Sequence, residues 1–203
     1  MAARLTDYQV LTFDCYGTLI DWEGGILAAL GDWAKANGVD AGPEALIEVQ
    51  SRNEHRVQNE NPAMPYPQIL SDVLRGMAAD FGVAVSDAEA RAFGASVGDW
   101  PAFPDSAGAL AYLKEHYKLV ILSNVDRAGF AASNARLGVD FDAIYTAEDI
   151  GSYKPNPANF EYLLEHLATD LGHSKADVLH TAQSIRHDHV PAAGGNLPGL
   201  GGV

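Results

Sequence analysis

Four short apolar segments that favour β-strands recur along this chain, and each one stops at polar residues. They span residues 10–13, 118–122, 143–146 and 177–181, and the first two have the clearest pattern. Continuous apolar runs of this length are typical of parallel strands that are buried on both faces of a sheet. Parallel strands need long crossover connections, so the rest of the chain is constrained to supply them.

Helical patterns provide those connections. One helix is predicted to begin near Pro104, because proline is favoured in a first turn and Leu110 and Leu113 then share one face. Another begins near Pro157. This alternation predicts an α/β fold, a doubly wound parallel sheet whose ligand sites lie beyond the carboxyl ends of its strands. The polar residues that close the strands are therefore expected to converge.

The segment between residues 20 and 100 departs from the alternation, because it shows only helical periodicity, as in Ile69, Val73 and Met77. We interpret it as a helical cap inserted after the first strand, with a turn between cap helices at residues 61–67. The predicted division is an α/β core of residues 1–20 and 101–203 and a cap of residues 21–100. The glycine-rich residues 194–203 show neither strand nor helix pattern, so no final strand is predicted there.

The residues that follow the predicted strands include groups suited to hydrolytic chemistry. A carboxylate such as Asp14, facing helix N-termini and a lysine, stays ionised and can attack an electrophile. Lys154 can hold Asp14 and an anionic substrate together, and Asp188 can steady Lys154 or polarise a water molecule. The candidate catalytic residues at the strand ends are Asp14, Thr18, Lys154 and Asp188. The candidate substrate contacts there are Ser123, Asn124 and Ser184.

These motifs resemble the haloacid dehalogenase superfamily, and most closely its type II (S)-2-haloacid dehalogenase branch. The resemblance covers roughly residues 8–193 and rests on the run from Asp14 to Leu19, on Ser123-Asn124, on Lys154-Pro155 and on the segment around Asp188. It implies that Asp14 attacks the carbon bearing the halogen, which gives an aspartyl ester and free halide. Water then hydrolyses the ester at the Asp14 carbonyl.

Two positions favour this reaction over phosphoryl transfer. Phosphatases of the superfamily usually carry a second aspartate where Tyr16 stands, and an acidic magnesium ligand where Gln183 stands. The resemblance therefore implies no cofactor and no metal, with Mg²⁺ needed only under the phosphatase alternative. It also implies substrate contacts from Tyr16 and from a cap arginine, for which Arg52 is the best match and Arg56 the next.

Other positions depart from the family pattern. Ile185 stands where the family has an asparagine that positions the hydrolytic water, so Gln183 or His187 must substitute or turnover is slow. Two alternatives follow: a magnesium-dependent phosphatase that acts on a small metabolite, and a protein that keeps the fold but acts by binding.

The composition limits the partners. The formal charge of −14 repels phosphate backbones, so we expect a small anionic substrate, held by local positive groups, and no nucleic acid. No apolar run approaches the roughly 18 residues that span a bilayer, and no signal peptide is evident, so a cytoplasmic protein without membrane association is expected. The single Cys15 fits a reducing compartment and is expected to be buried. Family habit favours a homodimer.

Overall fold

The computed structural model describes residues 4–195 and 197–200 and contains one parallel sheet. Its strands are β1 (Val10–Phe13), β2 (Lys118–Ser123), β3 (Ala143–Thr146), β4 (Val178–Thr181) and β5 (Gly199–Leu200). Their order across the sheet is β3-β2-β1-β4-β5. The four predicted strands and the α/β fold class are confirmed. The chain crosses from one side of β1 to the other between β3 and β4, which makes the end of β1 a topological switch point.

The central strands are buried on both faces, as their unbroken apolar runs predict. Leu11 and Phe13 face one hydrophobic cluster, whereas Val10 belongs to a second cluster on the opposite face. All four residues of β1 are buried. The end of this strand therefore holds the following residue, Asp14, in a rigid setting.

Helices make up most of the remaining chain. They are α1 (Trp22–Ala36), α2 (Pro43–Glu60), α3 (Tyr66–Phe81), α4 (Asp87–Gly94), α5 (Ser106–Lys114), α6 (Arg127–Leu137), α7 (Ala147–Ile150), α8 (Ala158–Leu171) and α9 (Val190–Gly194). The predicted helices near Pro104 and Pro157 correspond to α5 and α8. Within the described residues, no helix combines the length and the apolar character needed to cross a membrane.

Helices α1 to α4 lie between β1 and β2 in the chain. The chain leaves the sheet after β1 to form them and returns beside the point of departure. The departing and returning segments are hydrogen-bonded to each other: the Asp21 amide donates to the Pro101 carbonyl at 2.8 Å, and the Phe103 amide donates to the Leu19 carbonyl at 3.0 Å. Gly25 of α1 packs so closely on Trp100 that a Cβ there would lie 2.3 Å from the indole. These contacts fix the helices beside the end of β1. The division into core and cap domains stays a prediction.

The C-terminal segment corrects the sequence analysis, which predicted no strand there. Gly199–Leu200 form β5 and pair in parallel with β4, and the His180 amide donates to the Pro198 carbonyl at 2.9 Å. A Cβ on Gly199 would lie 2.5 Å from Nδ1 of His189, so glycine permits this close approach. A strand of two residues is too short to show a hydrophobic pattern in the sequence, and backbone hydrogen bonds join it to β4. Of residues 194–203, position 196 and positions 201–203 lie outside the described part of the chain.

Candidate active site

The four predicted catalytic side chains meet at the carboxyl end of β1, beside a cavity of about 250 Å³. Lys154, which is 2% exposed, donates to Oδ1 of Asp14 at 2.8 Å and to Oδ1 of Asp188 at 2.6 Å. Its third hydrogen bond goes to the Leu122 carbonyl at 2.9 Å. All three ammonium protons are therefore used inside the protein. Asp14, Lys154 and Asp188 line the cavity.

The second carboxylate oxygen of Asp14 is held by Thr18. The Thr18 hydroxyl donates to Oδ2 of Asp14 at 3.0 Å and accepts from the Gln183 amide at 3.0 Å. The turn between them requires Gly17, whose φ of +95° is unfavourable for other residues. Trp22 also leaves no room there, because a Cβ would lie 3.0 Å from its indole nitrogen. Both oxygens of Asp14 are thus oriented by fixed donors.

The electrostatics of this group follow from burial and from one shared positive charge. Burial raises the pKa of Asp14, against the opposing effect of Lys154. Burial also acts to raise the pKa of Asp188, but Lys154 and His180 outweigh it and lower that pKa to about 2. The two carboxylates in turn outweigh desolvation and raise the pKa of Lys154. Lys154 therefore stays charged, and Asp188 is an ionised partner that keeps it in place.

A histidine supports Asp188 from behind. His180 is fully buried in β4, with Nε2 3.0 Å from Oδ1 of Asp188 and Nδ1 2.9 Å from the Thr12 hydroxyl. Burial lowers the pKa of His180, so the ring is neutral. An ionised carboxylate only accepts hydrogen bonds, which assigns the proton to Nε2 and leaves Nδ1 to accept from Thr12. The sequence analysis did not identify His180 as part of the site. Among the described residues, no cluster of His, Cys, Asp and Glu is placed to hold a metal.

The two predicted substrate contacts at the end of β2 have different surroundings. The side chain of Asn124 lines the cavity but also clamps the backbone of Lys154, accepting from its amide at 2.7 Å and donating to its carbonyl at 3.0 Å. Ser123 is buried, and within the part of the chain described its hydroxyl has no hydrogen-bond partner. It is absent from the residues that line the cavity. Asn124 is therefore placed to position Lys154, and Ser123 does not reach the cavity.

Ser184 and Tyr16 both line the cavity. The Ser184 hydroxyl accepts from the His187 amide at 3.1 Å and so begins a π-helical turn at Ile185–His189. The Tyr16 hydroxyl lies 2.9 Å from the Ser133 hydroxyl, and its ring meets Trp100 edge-on. Its polar end is thus engaged with α6.

The thiol of Cys15 is next to Asp14 in the chain but takes no part in the site. The residue is fully buried, and burial followed by the charge of Asp14 raises the thiol pKa. A protonated, inaccessible thiol is a poor nucleophile, which agrees with the prediction of a buried packing residue.

The structure corrects the position predicted for Arg52. This side chain forms an exposed ion pair with Asp80 at 2.9 Å and does not line the cavity. Arg56, the second choice, bonds to Glu60 and Asn53 and is also absent from the lining. The reason is helix geometry, since α2 turns a different face toward Asp14.

That inward face was missed in the sequence, although its spacing of three, four and seven residues is typical of one helix face. Its centre is Glu54, which accepts from Gln50 at 2.5 Å, from Gln58 at 2.9 Å and from the Tyr66 hydroxyl at 3.0 Å. Burial raises the pKa of Glu54, and these donors oppose it. The residues of α2 that line the cavity are Ser51, Glu54, His55 and Gln58.

Arg186 is a further residue that the sequence analysis left out. It belongs to the π-helical turn, lines the cavity, and lies with Nη2 2.8 Å from Nε2 of His55. This contact joins the loop after β4 to α2 across the cavity.

A family model matches residues 8–180 and describes haloacid dehalogenase-like hydrolases. The chain belongs to this family. The match confirms the superfamily predicted from the motifs. Among curated protein sequences, none matches this chain.

Solved structures of haloacid dehalogenase-like proteins share the fold. A defluorinating L-2-haloacid dehalogenase is 19% identical, with a TM-score of 0.77 over 94% of this chain and 81% of that one. An L-2-haloacid dehalogenase from Xanthobacter autotrophicus with covalently bound chloropropionic acid is 20% identical, with a TM-score of 0.76 over 95% and 76%. The HAD-hydrolase YfnB from Bacillus subtilis, bound to magnesium, is 16% identical, with a TM-score of 0.78 over 95% and 87%. At these identities the likeness is one of fold.

Proposed function

We propose that this member of the haloacid dehalogenase-like hydrolases displaces halide from short (S)-2-haloacids, with Asp14 as the nucleophile. The observation that carries the proposal is the setting of Asp14. Its carboxylate lines the cavity, and Lys154 and Thr18 orient its two oxygens. The L-2-haloacid dehalogenases among the structural neighbours support the same reaction class.

In the first step, an oxygen of Asp14 forms a bond to the carbon that bears the halogen. The carbon–halogen bond breaks, and its electron pair leaves with the halide. This leaving group needs no proton, so no acid is required at position 16, where the Tyr16 hydroxyl is engaged with Ser133. Lys154 keeps Asp14 oriented for this displacement.

In the second step, water attacks the carbonyl carbon of the Asp14 ester, which releases the 2-hydroxyacid and restores the carboxylate. Lys154 lies beside Oδ1 and can stabilise negative charge that develops there. Burial lowers the pKa of His187, which lines the cavity, so a neutral imidazole is available to accept a proton from the attacking water and to return it to the alkoxide that leaves when the ester C–O bond breaks. His187 thus replaces the family asparagine, whose position is taken by Ile185, 65% exposed.

The donor set argues for a reaction without a metal. Oδ1 of Asp14 and Oδ1 of Asp188 share the ammonium of Lys154, and the neutral Gln183 stands where an acidic ligand is expected. With Lys154 as the counterion of both carboxylates and a neutral amide at position 183, the site offers Mg²⁺ fewer of the acidic oxygens that it prefers.

A magnesium-dependent phosphatase is the second candidate. Oδ2 of Asp188 is a buried carboxylate oxygen that has no partner among the residues described, and the YfnB neighbour was bound to magnesium. A single experiment separates the two candidates. Halide release from (S)-2-chloropropionate is measured with and without chelator, beside magnesium-dependent phosphate release from an aryl phosphate. Chelator-insensitive halide release is expected, and phosphate release alone would replace the first candidate with the second.

The ester intermediate has its own test. In a single turnover in isotopically heavy water, heavy oxygen should enter Asp14 first, because water attacks the carbonyl carbon of the ester. Mass spectrometry of the Asp14 peptide detects it. Label that appears only in the hydroxyacid product would rule out the intermediate.

A further inference from the structure

The cavity has a charge imbalance for an anionic substrate. Asp14, Glu54 and Asp188 line it, whereas the lysine and arginine side chains of its lining are Lys154 and Arg186 alone, counted over the residues described. Lys154 is not free to bind substrate, because its three protons are donated to Asp14, Asp188 and the Leu122 carbonyl. A substrate carboxylate therefore needs another cation.

Arg186 retains N–H donors that can bind a substrate carboxylate. Among the residues described, its side chain makes one hydrogen bond, to His55, and no carboxylate lies within ion-pairing distance. The arginines that first seemed suitable in the sequence differ in this respect, since Arg52 is paired with Asp80 and Arg56 with Glu60. A guanidinium carries five N–H donors and binds a carboxylate with two parallel hydrogen bonds.

The contact with His55 orients this guanidinium without neutralising it. A guanidinium only donates, so Nε2 of His55 accepts this hydrogen bond, and an imidazole carries no negative charge that would cancel the charge of the arginine. An aspartate in place of His55 would hold the arginine equally well but would cancel its charge. The pair thus presents a positive group at the cavity, provided by the loop after β4 and oriented by a hydrogen bond to α2.

We propose that Arg186 binds the carboxylate of the substrate and that His55 is its positioning residue. This inference rests on the proposed function and names the part of the site that recognises the acid. The same turn carries Ser184 at its start and Asp188 near its end. Carboxylate recognition and the catalytic lysine network are therefore coupled through one short segment.

The test uses propionate, which has the carboxylate of the proposed substrate but no halogen and cannot react. Trp22 and Trp100 line the cavity, so tryptophan fluorescence can follow binding, with calorimetry as the second measurement. We expect Arg186→Met to weaken propionate binding about tenfold or more, the effect of losing hydrogen bonds to a charged group. Arg52→Met is the matched control and should bind propionate as the wild type does.

Two further arms sharpen the result. Propionamide lacks the charge, so its binding should change little in Arg186→Met. His55→Gln keeps a hydrogen-bond acceptor and should retain most of the affinity, whereas His55→Leu should lose part of it. Circular dichroism of each variant checks that it is folded.

The outcomes separate this inference from the proposed reaction. Arg186-dependent propionate binding without halide release supports the inference and contradicts the reaction. Halide release with an unchanged KM in Arg186→Met overturns the inference and leaves the reaction standing. Wild-type protein that binds no propionate, or equal losses in Arg186→Met and Arg52→Met, also overturns it.

Discussion

The two walls of the cavity stabilise their buried carboxylates with different partners, one with a positive charge and the other with neutral hydrogen-bond donors. On the core wall, formed by Asp14, Lys154 and Asp188, two carboxylates share a buried ammonium. On the cap wall, formed by the inward face of α2, Glu54 receives only neutral donors. A buried charge that loses its ionic partner is costly, whereas neutral donors can be exchanged more cheaply. The core wall is thus suited to fixed chemistry and the cap wall to the choice of substrate.

The largest expected effect is that of Asp14→Asn, which removes the proposed nucleophile from the core wall. The amide cannot form the ester, so we expect kcat/KM for halide release to fall by about 10⁴-fold or more, the range seen when covalent hydrolases lose a nucleophile. The measurement is halide release under steady state, with circular dichroism to check folding. Near-wild-type turnover would show that Asp14 is not the nucleophile.

Lys154→Met tests whether charge holds the core wall together. Two buried carboxylates would lose their counterion, and the free energy of unfolding should fall by about 3–5 kcal/mol. Denaturant unfolding measures the loss. In the double variant with Asp188→Asn, part of it should be recovered, because one of the two repelling charges is gone. An additive double variant would show that Lys154 and Asp188 do not interact.

The pH dependence of kcat/KM sharpens the comparison further. Asp14 attacks only when ionised, and burial raises its pKa above the ordinary 3.8. On the acidic side of the profile, kcat/KM should therefore rise with pH as Asp14 ionises, and the midpoint of this acidic limb should lie above pH 3.8. The charge of Asp188 contributes to the elevation, so Asp188→Asn should move the limb to lower pH while it lowers the maximum rate. A limb that does not move would mean that another group controls it.

On the cap wall, Glu54→Gln should change the kinetics less than the core-wall substitutions do, and it should improve substrate binding instead of impairing the reaction. It removes a negative charge that faces an anionic substrate, so the KM for a 2-haloacid should fall while kcat changes little. Stability should drop by about 1–3 kcal/mol, because the new amide meets donors from Gln50 and Gln58. Steady-state kinetics and urea unfolding measure both quantities. A higher KM would show that Glu54 itself binds the substrate.

The sequence predicted the core wall because its residues follow strands. Asp14 comes directly after β1, and Lys154 and Asp188 stand in motifs of fixed order, so the sheet alone brings them near one another. The cap wall could not be predicted in this way. Helix periodicity defines faces but not which of them points inward, and Arg52 and Arg56 share a face just as Ser51 and His55 do.

The inward direction of α2 is set by tertiary packing. Its buried residues include the apolar Leu46 and Val57 and the polar Gln50 and Asn53, so half of the buried stripe is polar. Hydrophobicity therefore gave a weak indication of orientation. The same limit hid Arg186, because its value to the site depends on His55, 131 residues away.

The smallest expected effect is that of Arg52→Gln. This substitution tests whether the exposed face of α2, which lies outside the cavity, takes part in substrate binding. The ion pair with Asp80 is exposed at both ends, and Asn53 also donates to Asp80, so the carboxylate keeps a partner. Exposed pairs of this kind contribute about 0–1 kcal/mol and are screened by salt. Urea unfolding at low and at high ionic strength should show a small loss that disappears with salt, and the KM for haloacids should not change. A rise in KM at unchanged stability would return carboxylate recognition to the outer face of α2, and the cap wall would then have to rotate when substrate binds.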